Sequence, residues 1–177
     1  MKTINKLTIT KNLSNKKINM VREFGAPLDK VWSAWTESSK LDQWYAPKPW
    51  KASTKEMNFR EGGRWLYCMI GPKGDKMWSR GDFMEIIPQN SFTVEHSFCD
   101  EFGNEDTNLP KMIWKNRFIS TKTGCKMMME MSFKSTTDIE TFLKMGFEEG
   151  FTAALENLDK LLEKRHELIQ EHYHKAS

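Results

Sequence analysis

Cysteine is scarce in this 177-residue chain: Cys68, Cys99 and Cys125 are odd in number, and none stands in a CxxC pair. That argues against a disulfide framework and a thiolate zinc site. Long apolar runs are also absent. No stretch approaches the length of a membrane span, and Met1 to Thr10 alternates polar with apolar residues instead of forming the apolar segment of a secretion signal. The expectation is a soluble, cytoplasmic protein with no membrane partner. Charge bias is weak, with 27 basic against 24 acidic residues and a formal charge of +3. No Lys/Arg run is long enough for a nucleic-acid arm, so no nucleic-acid partner is expected. The chain has no HExxH helix, nucleophile elbow, phosphate-cradling glycine loop or dinucleotide fingerprint. No catalytic residue, metal or cofactor is assigned, and the balance lies away from an enzyme.

What the chain does have is methionine and aromatic side chains: 12 Met, 11 Phe and 7 Trp. Along 125–133 the odd positions Met127, Met129, Met131 and Phe133 fall on one face of a strand, because successive strand side chains point to opposite sides. Thioether chains there make an apolar wall that can repack around ligands of different shape. Downstream, a helical pattern carries Phe142, Phe147 and Phe151 beside Gly146 and Gly150, which remove side-chain volume from the helix.

The order of elements follows from periodicity and punctuation. A strand over 18–24 is broken by Gly25-Ala26-Pro27, and two short helices follow, carrying Trp32, Trp35 and Trp44. Segments near 52–59, 64–70, 76–87, 91–99, 111–119 and 125–134 read as strands separated by turn chemistry, which implies an antiparallel meander. Residues 100–110, acidic and rich in Asn and Gly, are expected to form a mobile surface loop able to gate a cavity. Thr137-Asp138-Ile139-Glu140 reads as a capping box opening one final helix to about residue 164, roughly 40 Å long. Residues 1–17 are then an N-terminal extension, 18–164 the domain, and 165–177 a polar tail whose Glu171-His172-Tyr173-His174 is not a metal site.

Phe24-Gly-Ala-Pro-Leu-Asp-Lys-Val-Trp-Ser-Ala-Trp-Thr36, Trp44, Phe59-Arg-Glu-Gly-Gly-Arg-Trp65, Arg80-Gly81, Glu85-Ile-Ile-Pro88 and Met145-Gly-Phe-Glu-Glu-Gly-Phe151 occur in that order. Together they resemble the activator-of-heat-shock-protein-90-ATPase-homologue branch of the START-like (SRPBCC) superfamily, over about residues 18–163. The resemblance implies an α+β helix-grip fold, in which a curved antiparallel sheet wraps a long C-terminal helix. It also implies a set of functions: hydrophobic-ligand carriage, cyclase chemistry, or chaperone activation.

Strand alternation puts Trp65, Tyr67 and Met69 inward, with Phe92, Val94, His96 and Phe98, then Met112, Trp114, Asn116 and Phe118; Phe83 against Met84 stays open. The candidate ligand-binding set is Trp65, Tyr67, Met69, His96, Phe98, Trp114, Asn116, Phe118, Met127, Met129, Met131, Phe147 and Phe151. The leading expectation is noncatalytic binding of a lipid-like or aromatic molecule between sheet and helix. One alternative is a protein-interaction module of the chaperone-activator type, or a homodimer, using an outer face on which Leu66, Cys68 and Ile70 are unusually apolar. The other is a cyclase or hydratase in which His96 moves a proton while Tyr67 and Asn116 hold a carbonyl or enolate.

Overall fold

A computed structural model describes residues 6–176, the side chains of 165–169 excepted. Eight strands form one antiparallel sheet: β1 (Leu7–Asn12), β2 (Lys17–Phe24), β3 (Lys51–Met57), β4 (Arg64–Ile70), β5 (Lys76–Ile87), β6 (Ser91–Cys99), β7 (Met112–Thr121) and β8 (Gly124–Phe133). Their order across the sheet is β1-β2-β8-β7-β6-β5-β4-β3. Strands β3 to β8 are sequence neighbours joined by hairpins, as the turn residues require.

Because β2 lies at one side of the sheet and β3 at the opposite edge, the chain between them has to cross a face. Two helices make that crossing, α1 (Leu28–Thr36) and α2 (Ser38–Trp44). Val31, Trp32 and Trp35 recur at helical spacing and are buried. Trp44 is enclosed and donates its indole N–H to the Ala34 carbonyl at 2.9 Å, so the two helices are tied together.

Three boundaries differ from the sequence expectation. The extension 1–17 contains a strand, β1, in register with β2 from Leu7↔Arg22 to Asn12↔Lys17; residues 1–5 lie outside the described part. The single final helix is two, α3 (Thr136–Lys144) and α4 (Phe147–Lys175). Gly146 separates them at φ +86°, a left-handed conformation that glycine adopts without a Cβ penalty. Ser135, not the Thr137 box, caps α3, accepting a hydrogen bond from the Asp138 amide at 3.1 Å. Helix α4 has 29 residues and continues through most of the expected tail.

The undecided register of β5 is settled by a bulge between Phe83 and Glu85, which turns Phe83 into the core and leaves Met84 exposed. Helix α4 is anchored to the sheet by an ion pair that sequence reading missed. Arg22 of β2, 3% exposed, donates through Nη2 to Asp159 Oδ2 at 2.5 Å, and its Nη1 donates to the Glu23 carbonyl at 2.8 Å. The guanidinium also stands 4.9 Å from the centre of the Phe24 ring.

Candidate functional site

The inner face of the sheet divides into a filled region and a hollow one. Trp32 of α1 fills the first, standing edge-on to Phe59, Phe92 and Phe118 at ring separations of 6.0, 5.9 and 5.0 Å. Along β8, Met127, Met129 and Met131 are 0–2% exposed and join one core cluster with Ile18, Met20, Leu155 and Leu158. The methionine wall expected to face a ligand is therefore close-packed core.

A cleft of about 340 Å³ remains where the same ends of β4, β5, β6 and β7 meet the α3–α4 hinge. Its floor is Tyr67 and Met69 on β4, Met77 and Ser79 on β5, His96 and Phe98 on β6, and Met112 and Trp114 on β7. Phe142, Met145, Gly146, Phe147, Gly150 and Phe151 form the roof, and Tyr45, Pro47 and Trp50 close one side. Met77 and Met145, 43% and 42% exposed, mark the rim.

Of the sequence-selected set, seven residues come together at this cleft: Tyr67, Met69, His96, Phe98, Trp114, Phe147 and Phe151. Trp65, Asn116, Phe118, Met127, Met129 and Met131 do not line it. Trp65 lies behind it, stacked on Tyr67 at 3.8 Å and donating its indole N–H to Thr54 Oγ1 at 2.9 Å. Asn116 sits opposite Phe92 on β6, whose carbonyl it contacts at 3.4 Å, whereas His96 is opposite Met112. The expected partnership of His96 with Asn116 is thus not made.

The roof owes its order to helical spacing. Phe147 and Phe151, one turn apart, stack at 5.3 Å, and Trp114 meets their edges at 5.9 and 5.7 Å. Gly150 leaves room beside Pro47: a Cβ there would stand 3.7 Å from Pro47 Cγ, an ordinary contact.

Among the described residues, no Asp, Glu, Lys or Arg lines the cleft. Its polar groups are neutral and held so by burial. Desolvation lowers the His96 imidazole from 6.5 to about 4, opposed only by the charge of Asp82, which is itself held by Arg80 at 2.6 and 2.9 Å. Desolvation likewise raises Tyr45 to about 12, against a hydrogen bond with Tyr67. Tyr67 is also raised well above its usual value, chiefly by burial, and shares hydrogen bonds with Tyr45 and Ser79. Such phenols are donors and acceptors, not anions.

Sequence reading missed Tyr45, Pro47, Trp50, Met77, Ser79, Ser97 and Met145, and it named Phe142 in the aromatic helix and Met112 on the inward face without placing either in the candidate set. Met77 and Ser79 share a face with Phe83, so fixing the bulge would have found them. Tyr45, Pro47 and Trp50 lie in an irregular segment that periodicity does not address.

The outer surface also departs from expectation. Residues 100–110 form an ordered cap, with a bridge between Cys99 and Glu105 and with the Asp100 carboxylate accepting from the Phe102 and Asn104 amides. The cap lies over the face of β4 and β5 that carries Arg64 and Arg80. Arg80 Nη1 donates to the Gly103 carbonyl at 2.7 Å, and Leu66, opposite Arg80, is 1% exposed. Leu66 and Cys68 therefore do not present an apolar surface. No group of three or more His, Cys, Asp or Glu among the described residues has the arrangement of a metal site, and no helix is long and apolar enough to cross a membrane.

The family model described as Activator of Hsp90 ATPase homolog 1-like protein matches residues 25–163. The chain belongs to this family. Its fold is the START-like helix grip, with a curved sheet and a long C-terminal helix. The crystal structure of protein Ms6760 from Mycobacterium smegmatis is 26% identical, with a TM-score of 0.82 over 89% of this chain and 97% of that one. A solution structure of a protein from Arthrobacter aurescens is also 26% identical, with a TM-score of 0.83 over 89% and 91%. One from Staphylococcus epidermidis is 25% identical, with a TM-score of 0.78 over 89% and 94%. A comparison with curated proteins gives no significant match.

Proposed function

We propose that the protein binds a small, mainly apolar molecule in the cleft beneath the α3–α4 hinge, without transforming it. The observation that supports this most is the contrast within one inner face. Most of its side chains are buried in one continuous core cluster, yet one end keeps a hollow of about 340 Å³ walled by rings and thioethers. Filling the hollow with side-chain volume would stabilise the fold, so its persistence is best understood as a binding space. A ligand that covers ~200 Å² of apolar surface gains roughly 5 kcal/mol before the cost of association.

The family name raises chaperone activation as a second role. Of the outer-face residues that favour a protein partner or a homodimer from sequence, Leu66 and Cys68 are buried and Ile70 stays partly exposed, so the apolar surface they offer a partner is small. The hydratase reading loses Asn116 from its trio.

The test is thermal unfolding with saturating toluene or indole, in wild type and in two cleft-filling variants, Met112→Trp and Gly150→Leu. Saturable stabilisation of wild type that either folded variant abolishes is the expected result. No stabilisation of wild type, or the same shift in both folded variants, would contradict the proposal.

A further inference from the structure

Among the described residues, three side chains of the cleft lining carry polar atoms without a partner in the protein: Ser97 through its hydroxyl, Trp114 through its indole N–H, and His96 through its ring nitrogens. His96, half-buried, stands 5.3 Å from the ring of Trp114 and 6.5 Å from that of the buried Trp65, in the same cleft as the exposed Met77 and Met145. Neither ring nitrogen is hydrogen-bonded to protein among the described residues. Of the hydroxyls in the lining, Tyr45, Tyr67 and Ser79 are joined to one another, whereas that of Ser97 has no partner. His96 is half-buried at the cleft, so its free ring nitrogens are available to whatever occupies that space.

We infer that the ligand is an uncharged compound with a ring-containing apolar body and one hydroxyl or carbonyl group that bonds to His96, and that carboxylates are refused. This rests on the ligand-binding reading above. The apolar body follows from the walls: Phe147, Phe151 and Trp114 offer faces and edges, and Met77, Met112 and Met145 offer adaptable thioethers. The polar group follows from the floor, where His96 is the one residue of the three that supplies both a donor and an acceptor through a ring half-open to the cleft. A neutral imidazole supplies one donor and one acceptor, which suits an alcohol, a phenol or a ketone. The absence of any Lys or Arg from the lining supplies the refusal, because a buried carboxylate needs a cation or several donors to offset its lost hydration. Fatty acids and anionic lipid headgroups are therefore outside the class.

Three probes of one shape separate the terms: naphthalene, 2-naphthol and 2-naphthoate, titrated calorimetrically against the whole chain at pH 7.5. Expected is 2-naphthol binding between about threefold and tenfold tighter than naphthalene, with 2-naphthoate at least tenfold weaker than 2-naphthol. In His96→Leu the ratio between naphthol and naphthalene should fall to within about twofold. If that variant does not fold, the wild-type His96 ring nitrogens must shift further with 2-naphthol than with naphthalene, whose ring current acts on the imidazole without a hydrogen bond. Naphthoate binding as tightly as naphthol, a naphthol-to-naphthalene ratio unchanged in folded His96→Leu, or ring-nitrogen shifts equal for the two ligands, while naphthalene binds, would overturn the assignment and leave the cleft reading standing. Failure of all three probes to bind would overturn both.

Discussion

His96 lies flat across Gly81, its cross-strand partner on β5: a Cβ built on Gly81 would stand 3.2 Å from His96 Cε1 and 2.9 Å from Val94 Cγ2. The missing side chain is what lets the imidazole settle onto the sheet and face the cleft.

Gly81→Ala should therefore move the ring and strain the β5–β6 pair. A loss of about 1–3 kcal/mol in urea unfolding is expected, as for other overpacked interiors, along with a shift of the His96 ring protons. Unchanged stability together with unchanged ring-proton positions would show that the glycine has no such role.

The same burial sets a pH dependence. His96 titrates near 4 when folded and near 6.5 when unfolded, so the unfolded chain binds the extra proton between those values. Stability supplied by the neutral ring is fully present above pH 6.5 and is lost as pH falls through 6.5 towards about 4. The ceiling is roughly 3 kcal/mol, less in practice because one side of the ring meets the open cleft. Unfolding free energies measured from pH 7.5 to 4.5 should fall more steeply for wild type than for His96→Phe. Parallel curves would contradict the assignment.

Helix α4 is held over the sheet by the Arg22–Asp159 pair, and its two halves differ in exposure: 3% for the Arg22 side chain and 17% for Asp159. Burial raises the Asp159 carboxyl above its usual value even beside the guanidinium. Asp159→Ala strands the more deeply buried charge and should cost about 2–4 kcal/mol. Arg22→Met leaves an acid that can take up a proton or reach water, and should cost less. Chemical denaturation of both variants checks the order; the reverse order would mean that Arg22 stabilises chiefly through Phe24 and the backbone.

Much of the fold was legible because each element obeyed its local rule. Alternation along β8 gave the correct buried face for Met127, Met129 and Met131, and turn residues gave the meander. What alternation cannot say is whether an inward side chain meets another side chain or a space. That depended on Trp32, which reaches from α1 into the half of the sheet containing Phe118, and on the bend at Gly146, which brings Phe142 and Met145 over the other half. Gly146 had been read as missing volume; its φ of +86° makes it a hinge between two helices. β1 escaped notice because Leu7 to Asn12 is a short edge strand, with one ladder partner and little buried surface.

Native mass spectrometry of the protein, isolated from its own host without denaturant or detergent, tests the central claim most directly. A bound neutral molecule of defined mass, present in wild type and absent from folded Met112→Trp, is the result expected. Bare wild-type protein that also fails to take up naphthalene or 2-naphthol in the same spectrometer would contradict it.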